Sequence, residues 1–181
     1  TYDQGSQKFR LDAVSDNVFE TSAKNEILCA NVSSGGNVAI ATVSTEAKST
    51  IYVYSKSLKE TFKYDVSNGY VSNIAIDSTG KKLTYVTVNS DNAEIVSTIN
   101  TISVGDSDVT ASFNYVGSNV FRIKYLDSKA FVVGNDFVSI IKNQKKEDVL
   151  LKQGKVSIVS FDFDENDRLS ICYEQYENAD E

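Results

Sequence analysis

Residues 71–89 read VSNIAIDSTGKKLTYVTVN, and residues 27–44 read ILCANVSSGGNVAIATVS. Each has an apolar run, a short polar turn closing on glycine, and a second apolar run ending in Thr-Val and a small polar residue. Short runs rich in Val, Ile, Thr and aromatics, separated by Ser, Asn, Asp and Gly, are the pattern of strands joined by turns. The two segments read as one hairpin written twice, about 45 residues apart.

The correspondence extends outward from that pair. Val32 aligns with Ile76, Ser34 with Ser78 and Gly36 with Gly80; after one inserted residue, Thr42-Val43 aligns with Thr87-Val88. Thr50-Ile51-Tyr52-Val53 then matches Thr98-Ile99-Asn100-Thr101, and Phe62-Lys63-Tyr64 matches Phe113-Asn114-Tyr115. A further copy of the turn places Val32-Ser33-Ser34 on Phe163-Asp164-Glu165 and Val38 on Leu169. The copy at 119–155 is worn: Leu126-Asp127-Ser128 keeps the turn and loses the glycine.

Strands are expected near 7–12, 26–32, 38–43, 49–55, 60–65, 71–76, 83–88, 95–103, 109–115, 120–126, 129–134, 136–142, 147–152, 156–163 and 168–174. Four strands in a repeat of 40–45 residues mark a β-propeller blade, whose sheet buries its faces only by stacking on neighbours. The expected fold is therefore all-β, one domain over 1–181, with four-stranded antiparallel blades at 26–65, 70–115 and 119–152. Partial blades are expected at 1–12 and 156–174. Tyr2-Asp3-Gln4-Gly5 resembles the turn after Tyr54, and Phe9 falls where Phe62 does, so the chain is expected to open between third and fourth strands. Either the terminal halves combine and close a small four-bladed ring, or the chain is an arc of a larger propeller with edges that attract another chain. In Asp77-Ser78-Thr79-Gly80-Lys81, glycine supplies φ > 0 and the Asp side chain can cap its own turn.

Composition narrows the function. The chain has 181 residues, 41% hydrophobic and 24% charged, as expected of a globular domain. Its net charge of −7 argues against a nucleic-acid partner, which needs a basic face. No apolar run is long enough to span a membrane as a helix. A chain that begins at Thr1 and holds no methionine is expected to have its natural start, and any anchor, upstream. The absence of histidine removes the commonest general base and metal ligand. Cys29 and Cys172 both lie in apolar runs, which suits two buried free thiols; a disulfide between them is the other reading.

Candidate chemistry is sparse. Asp162, Asp164 and Asn166 have the opening spacing of a calcium loop, but Asp167 stands at the glycine position and Tyr173 at the closing glutamate. The same segment aligns with the blade turns, so a solvated turn is the expectation. Lys142, Lys145, Lys146, Lys152 and Lys155, broken by Glu147 and Asp148, form either a solvated hairpin or an edge for an anionic polymer. Gly35-Gly36 has no lysine-serine continuation, so it is no phosphate cradle. No catalytic residue, cofactor or metal ligand is assigned. A ligand-binding face would lie on the loops 44–49, 65–70, 89–94 and 116–119, with Tyr70, Asn89, Asp91 and Glu94 as first candidates.

The pattern A-x-V-S-x-x-G-x-V-A-I-A-T at Ala30–Thr42, I-Y-V-Y at Ile51–Tyr54 and Y-V-S-x-I-A-I-D-S-x-G-K at Tyr70–Lys81 resembles an uncharacterised propeller family of clostridia-type Gram-positive bacteria. The resemblance implies a WD-type outline, an amino-terminal membrane anchor and a propeller exposed outside the cell; the Trp-Asp and Gly-His pairs of true WD repeats are absent. It brings no assigned activity. The expected role is a non-catalytic extracellular interaction module, tethered by an anchor outside this chain, for a protein or cell-envelope polymer. The alternative is a fragment of a propeller enzyme, a polysaccharide lyase or quinone-type dehydrogenase, with its active site in absent blades.

Overall fold

The computed structural model describes residues 1–12, 18–91, 93–106, 108–151, 155–164, 166 and 168–176. The chain opens with a hairpin of β1 (Lys8–Asp12) and β2 (Val18–Ser22). A first four-stranded sheet follows, β3 (Ile27–Val32), β4 (Val38–Val43), β5 (Ser49–Tyr54) and β6 (Glu60–Val66). The second is β7 (Tyr70–Ile76), β8 (Lys82–Asp91), β9 (Glu94–Ser103) and β10 (Val109–Val116). The third is β11 (Val120–Leu126), β12 (Lys129–Gly134), β13 (Phe137–Lys142) and β14 (Lys145–Leu151), and a hairpin of β15 (Val156–Phe163) and β16 (Leu169–Gln175) ends the series. Every pairing is antiparallel and joins strands consecutive in the chain. The expected all-β repeat of four-stranded antiparallel sheets is what the structure contains.

The first strands of successive sheets pack in turn, β3 on β7 and β7 on β11. Val38 to Ala41 are all buried, so β4 is covered on both faces, as its unbroken apolar run requires. β6 alternates exposed and half-buried residues, as an outermost strand should. Cys29, Ala39, Ile51, Ile74, Leu83 and Ile102 belong to the core between the first two sheets; Val86, Ile99, Val132 and Phe137 belong to that between the second and third. Each first strand shifts register at the same place: between Ile27 and Cys29, Val71 and Asn73, Val120 and Arg122, Ile158 and Ser160. This shared bulge fixes which residues correspond between sheets.

The Asp77 turn behaves as its sequence predicts. Its carboxylate accepts the backbone N–H of Lys81 at 2.8 Å and Lys82 at 2.9 Å, and the Thr79 hydroxyl at 2.6 Å. Gly80 sits at φ +73, and a Cβ there would fall 2.8 Å from Cγ of Asn37 in the neighbouring turn. Asn37 Nδ2 donates to the Ser78 carbonyl at 3.1 Å, so glycine serves close approach as well as the turn. In the third sheet Asp127 takes φ +54 without glycine.

The structure corrects several expectations. β2 is absent from the expected strands, because VFETS has too short an apolar run to signal one. With β2 leading into β3, β1 takes the third place in its sheet rather than the fourth. The terminal hairpins form separate two-stranded sheets and, among the described residues, do not combine into a fourth. Both thiols are free, but Cys172 is exposed: with no third strand beside β16, only Cys29 is covered. The loop expected at 89–94 is strand almost throughout, since Asn89, Ser90 and Asp91 continue the ladder opposite Val96, Ile95 and Glu94.

Candidate functional site: an amide-lined cleft between the first two sheets

Alternation in β8, β9 and β10 puts Thr87, Thr98 and Asn114 in one row across the second sheet, and Tyr85, Asn100 and Ser112 in the next. Residues two apart share a face, so hydroxyls and amides from three strands form a grid on one side of the sheet. Tyr64 and Asp65 of β6 stand opposite, on the edge of the first sheet. Between them lies a cleft of about 630 Å³, a volume suited to a small ligand or a few units of a polymer. Among the described residues, Asp65 is the single charged residue of its lining.

Internal hydrogen bonds hold the polar groups in place. Ser112 Oγ donates to Asn100 Oδ1 at 2.9 Å, and Asn100 Nδ2 donates to the Thr98 carbonyl at 3.3 Å. At the rim, Asn89 Nδ2 donates to Asn68 Oδ1 at 3.2 Å. Gly69, at φ +101, lets the loop come down on that pair; a Cβ there would lie 2.9 Å from Asn89 Nδ2.

Asp65 accepts the Thr50 hydroxyl at 2.7 Å and lies 3.1 Å from Lys63 Nζ. The Thr50 hydrogen bond, helped by Lys63 and opposed by partial burial, holds its carboxyl below the usual range. Burial first, then the neighbouring Tyr64, pushes the Tyr85 phenol well above its ordinary value. At neutral pH the site therefore offers one carboxylate, neutral phenols, hydroxyls and amides. It can make hydrogen bonds in both directions and has little charge to offer an anion.

Of the expected ligand-face residues, Asn89 is in this cleft. Tyr70 is exposed at the start of β7 with Lys48 Nζ 5.4 Å from its ring centroid, outside the lining. Glu94 is exposed at the start of β9; the Asp91 side chain lies outside the described residues. The grid itself was readable from the period-two spacing of Tyr85, Thr87 and Asn89 and of Thr98 and Asn100, but not its partner strand β6.

The other candidates are absorbed by structure. Asp164 Oδ1 accepts the N–H of Asn166 at 2.9 Å and of Arg168 at 2.8 Å, repeating the Asp77 turn cap. Glu165 and Asp167 of that segment lie outside the described residues, as does Lys152 of the lysine cluster. Lys142 and Lys145 flank a two-residue turn in which Asn143 and Gln144 have φ +49 and +63. Lys146 is half-buried, with Nζ 2.9 Å from Asp148 and 4.5 Å from the Tyr115 ring centroid, so it is no solvated lysine. Among the described residues no group of three or more Cys, Asp or Glu could hold a metal ion, and no helix is long and apolar enough to cross a membrane.

No curated protein matches this chain. A family of unknown function (DUF5711) matches residues 1–180, and the chain belongs to that family.

Proposed function

We propose that the chain is a non-catalytic interaction module that binds a neutral, hydroxyl-rich polymer of the cell envelope in the cleft between its first two sheets. The observation that carries this reading is the lining: rows of amide and hydroxyl side chains across three strands, closed by tyrosines. Sugar hydroxyls and acetamido groups both donate and accept, and Asn side chains meet them in both directions. An anionic polymer fits less well, given Asp65 in the cleft and a net charge of −7. This reading keeps the module on the extracellular face, where such a polymer lies, with any anchor outside this chain.

Titration with an N-acetylglucosamine oligosaccharide, followed by calorimetry and by amide chemical shifts, tests the proposal. Binding is expected, with shifts confined to β6 and β8–β10. Asn89→Ala and Asn114→Ala are each expected to weaken it up to about tenfold, the loss of one hydrogen bond of roughly 0.5–1.5 kcal/mol. Lys145→Glu, remote from the cleft, is expected to leave it unchanged. Neutral glycans that shift no cleft resonance would overturn the reading.

A further inference from the structure

We infer that the seam between the second and third sheets holds a further binding site, which takes the free carboxyl end of a short aliphatic peptide. It lies on the far side of the second sheet from the amide-lined cleft and does not depend on it. Alternation along β8 and β9 sends Lys82 and Thr84 to one face with their partners Ser103 and Thr101. Tyr85 and Thr87 go to the other face with Asn100 and Thr98. On the Lys82 face a cavity of about 380 Å³ lies against Ser128 and the Asn143–Gln144 turn of the third sheet. That is near the small end for ligand sites, room for the last residues of a peptide rather than for a folded partner.

Part of the polar lining is already engaged. The Tyr125 hydroxyl lies 2.8 Å from Thr84 Oγ1, which lies 2.9 Å from Thr101 Oγ1, and Thr110 Oγ1 donates to the Thr101 carbonyl at 2.9 Å. The rest is not. Lys82 is half-buried, and its backbone is clamped by the Asp77 turn: its N–H donates to Asp77 Oδ1 at 2.9 Å and its carbonyl accepts the Asp77 N–H at 3.0 Å. Among the described residues its ammonium has no ion pair, and the side chains of Ser103, Ser128, Asn143 and Gln144 have no hydrogen bond within the protein. An ammonium partly withdrawn from water, held on a fixed stem and given no carboxylate, is a place for an anion.

The composition of the lining selects the anion. Among the described residues no carboxylate lines the cavity, and Lys82 is its single cation. One positive charge among neutral hydroxyl and amide donors matches a monoanion, and the chain's net charge of −7 disfavours a dianionic phosphate. A carboxylate accepts from an ammonium and from hydroxyls, while Asn143 and Gln144 each donate and accept, as a peptide group does. Ile102 and Ile141, both buried, supply an apolar floor. An aliphatic side chain beside the carboxylate covers that floor, whereas a sugar acid would set hydroxyls against it.

Titration of the full chain with N-acetyl-dialanine, followed by amide chemical shifts, tests the inference. Shifts are expected at Lys82, Ser103, Ser128 and Gln144, and not at Asn89 or Asn114. The dialanine amide, which lacks the charge, is expected to bind about tenfold more weakly, and Lys82→Met to cost the acid a similar factor. Lys59→Met, which removes an exposed lysine of the first sheet, is expected to leave binding unchanged. A titration that moves none of the four resonances overturns the inference. So does equal binding of acid and amide, a comparison that needs no variant. Glucuronate or inorganic phosphate binding here more tightly than the dipeptide would overturn the peptide assignment.

Discussion

The ring of Tyr115 lies flat on that of Phe137, centroids 3.9 Å apart and planes 6° from parallel, and joins the second sheet to the third. The Tyr115 hydroxyl continues past the stack to Ser139 Oγ at 2.6 Å and to Asp148 Oδ1 at 2.9 Å, both in the third sheet. One side chain thus supplies apolar area and two polar contacts across the seam. Tyr115→Phe is expected to lower stability by about 1–3 kcal/mol, since it removes the phenol's hydrogen bond to the Asp148 carboxylate, while Ser139 and Lys146 keep theirs. Phe137→Ala should cost about 3–5 kcal/mol through the cavity it opens. Urea midpoints at neutral pH separate the two.

Phe137 is also the counterpart of Thr50 and Thr98, while Gly134 stands where the other sheets have Thr42 and Thr87. A Cβ on Gly134 would overlap the Phe137 ring. Gly134→Ala is therefore expected to destabilise by about 1–3 kcal/mol. In the Gly134→Ala, Phe137→Thr double variant that clash disappears. The double-mutant cycle should show a coupling of about 1–3 kcal/mol; strict additivity would show that the ring does not require the glycine.

Asp148 provides a pH signature. Partial burial raises its pKa, but hydrogen bonds from Ser139, Lys146 and Tyr115, together with the Lys146 charge, outweigh it and leave the carboxyl below its ordinary value. A carboxyl depressed in the folded state adds stability above the unfolded value, about 3.9, and loses it as pH falls through the folded one. The stability difference between the natural chain and Asp148→Asn should be constant from pH 7 to about 5 and shrink on further acidification. Equilibrium unfolding as a function of pH measures this. A difference that grows toward acid would contradict the hydrogen-bonded assignment.

Thiol chemistry distinguishes the two cysteines. Burial pushes the Cys29 thiol up to about 12, so it holds almost no thiolate at neutral pH, whereas Cys172 is exposed. An aromatic disulfide reagent should titrate one thiol rapidly in the native chain and two in denaturant. Cys172→Ser should abolish the fast phase and Cys29→Ser leave it in place.

The repeat was legible because its strands are local: an apolar run, a turn with Asp or Gly, and a second run suffice to place β3, β4, β7 and β8. β2 escaped, because VFETS carries too few apolar residues to stand out. Asn89 could be singled out from its position, but the cleft could not, since it needs Tyr64 and Asn114 brought together from different sheets. Lys146 was misread for the same reason: the lysine run says solvent, while Tyr115 and Asp148 draw it into the seam. Glycine loss at 126–128 looked like wear, yet Asp127 adopts the left-handed conformation itself.

The pairing of consecutive strands throughout has a kinetic consequence. Among the described residues no hydrogen-bonded strand pair closes a long loop, so each sheet can form before its neighbours and the entropy of loop closure stays small. The second sheet is packed on both sides, by β3 and by β11, and the terminal hairpins are not. Amide exchange should therefore proceed from the two ends inward, with β7–β9 the last to open and the seed from which refolding spreads.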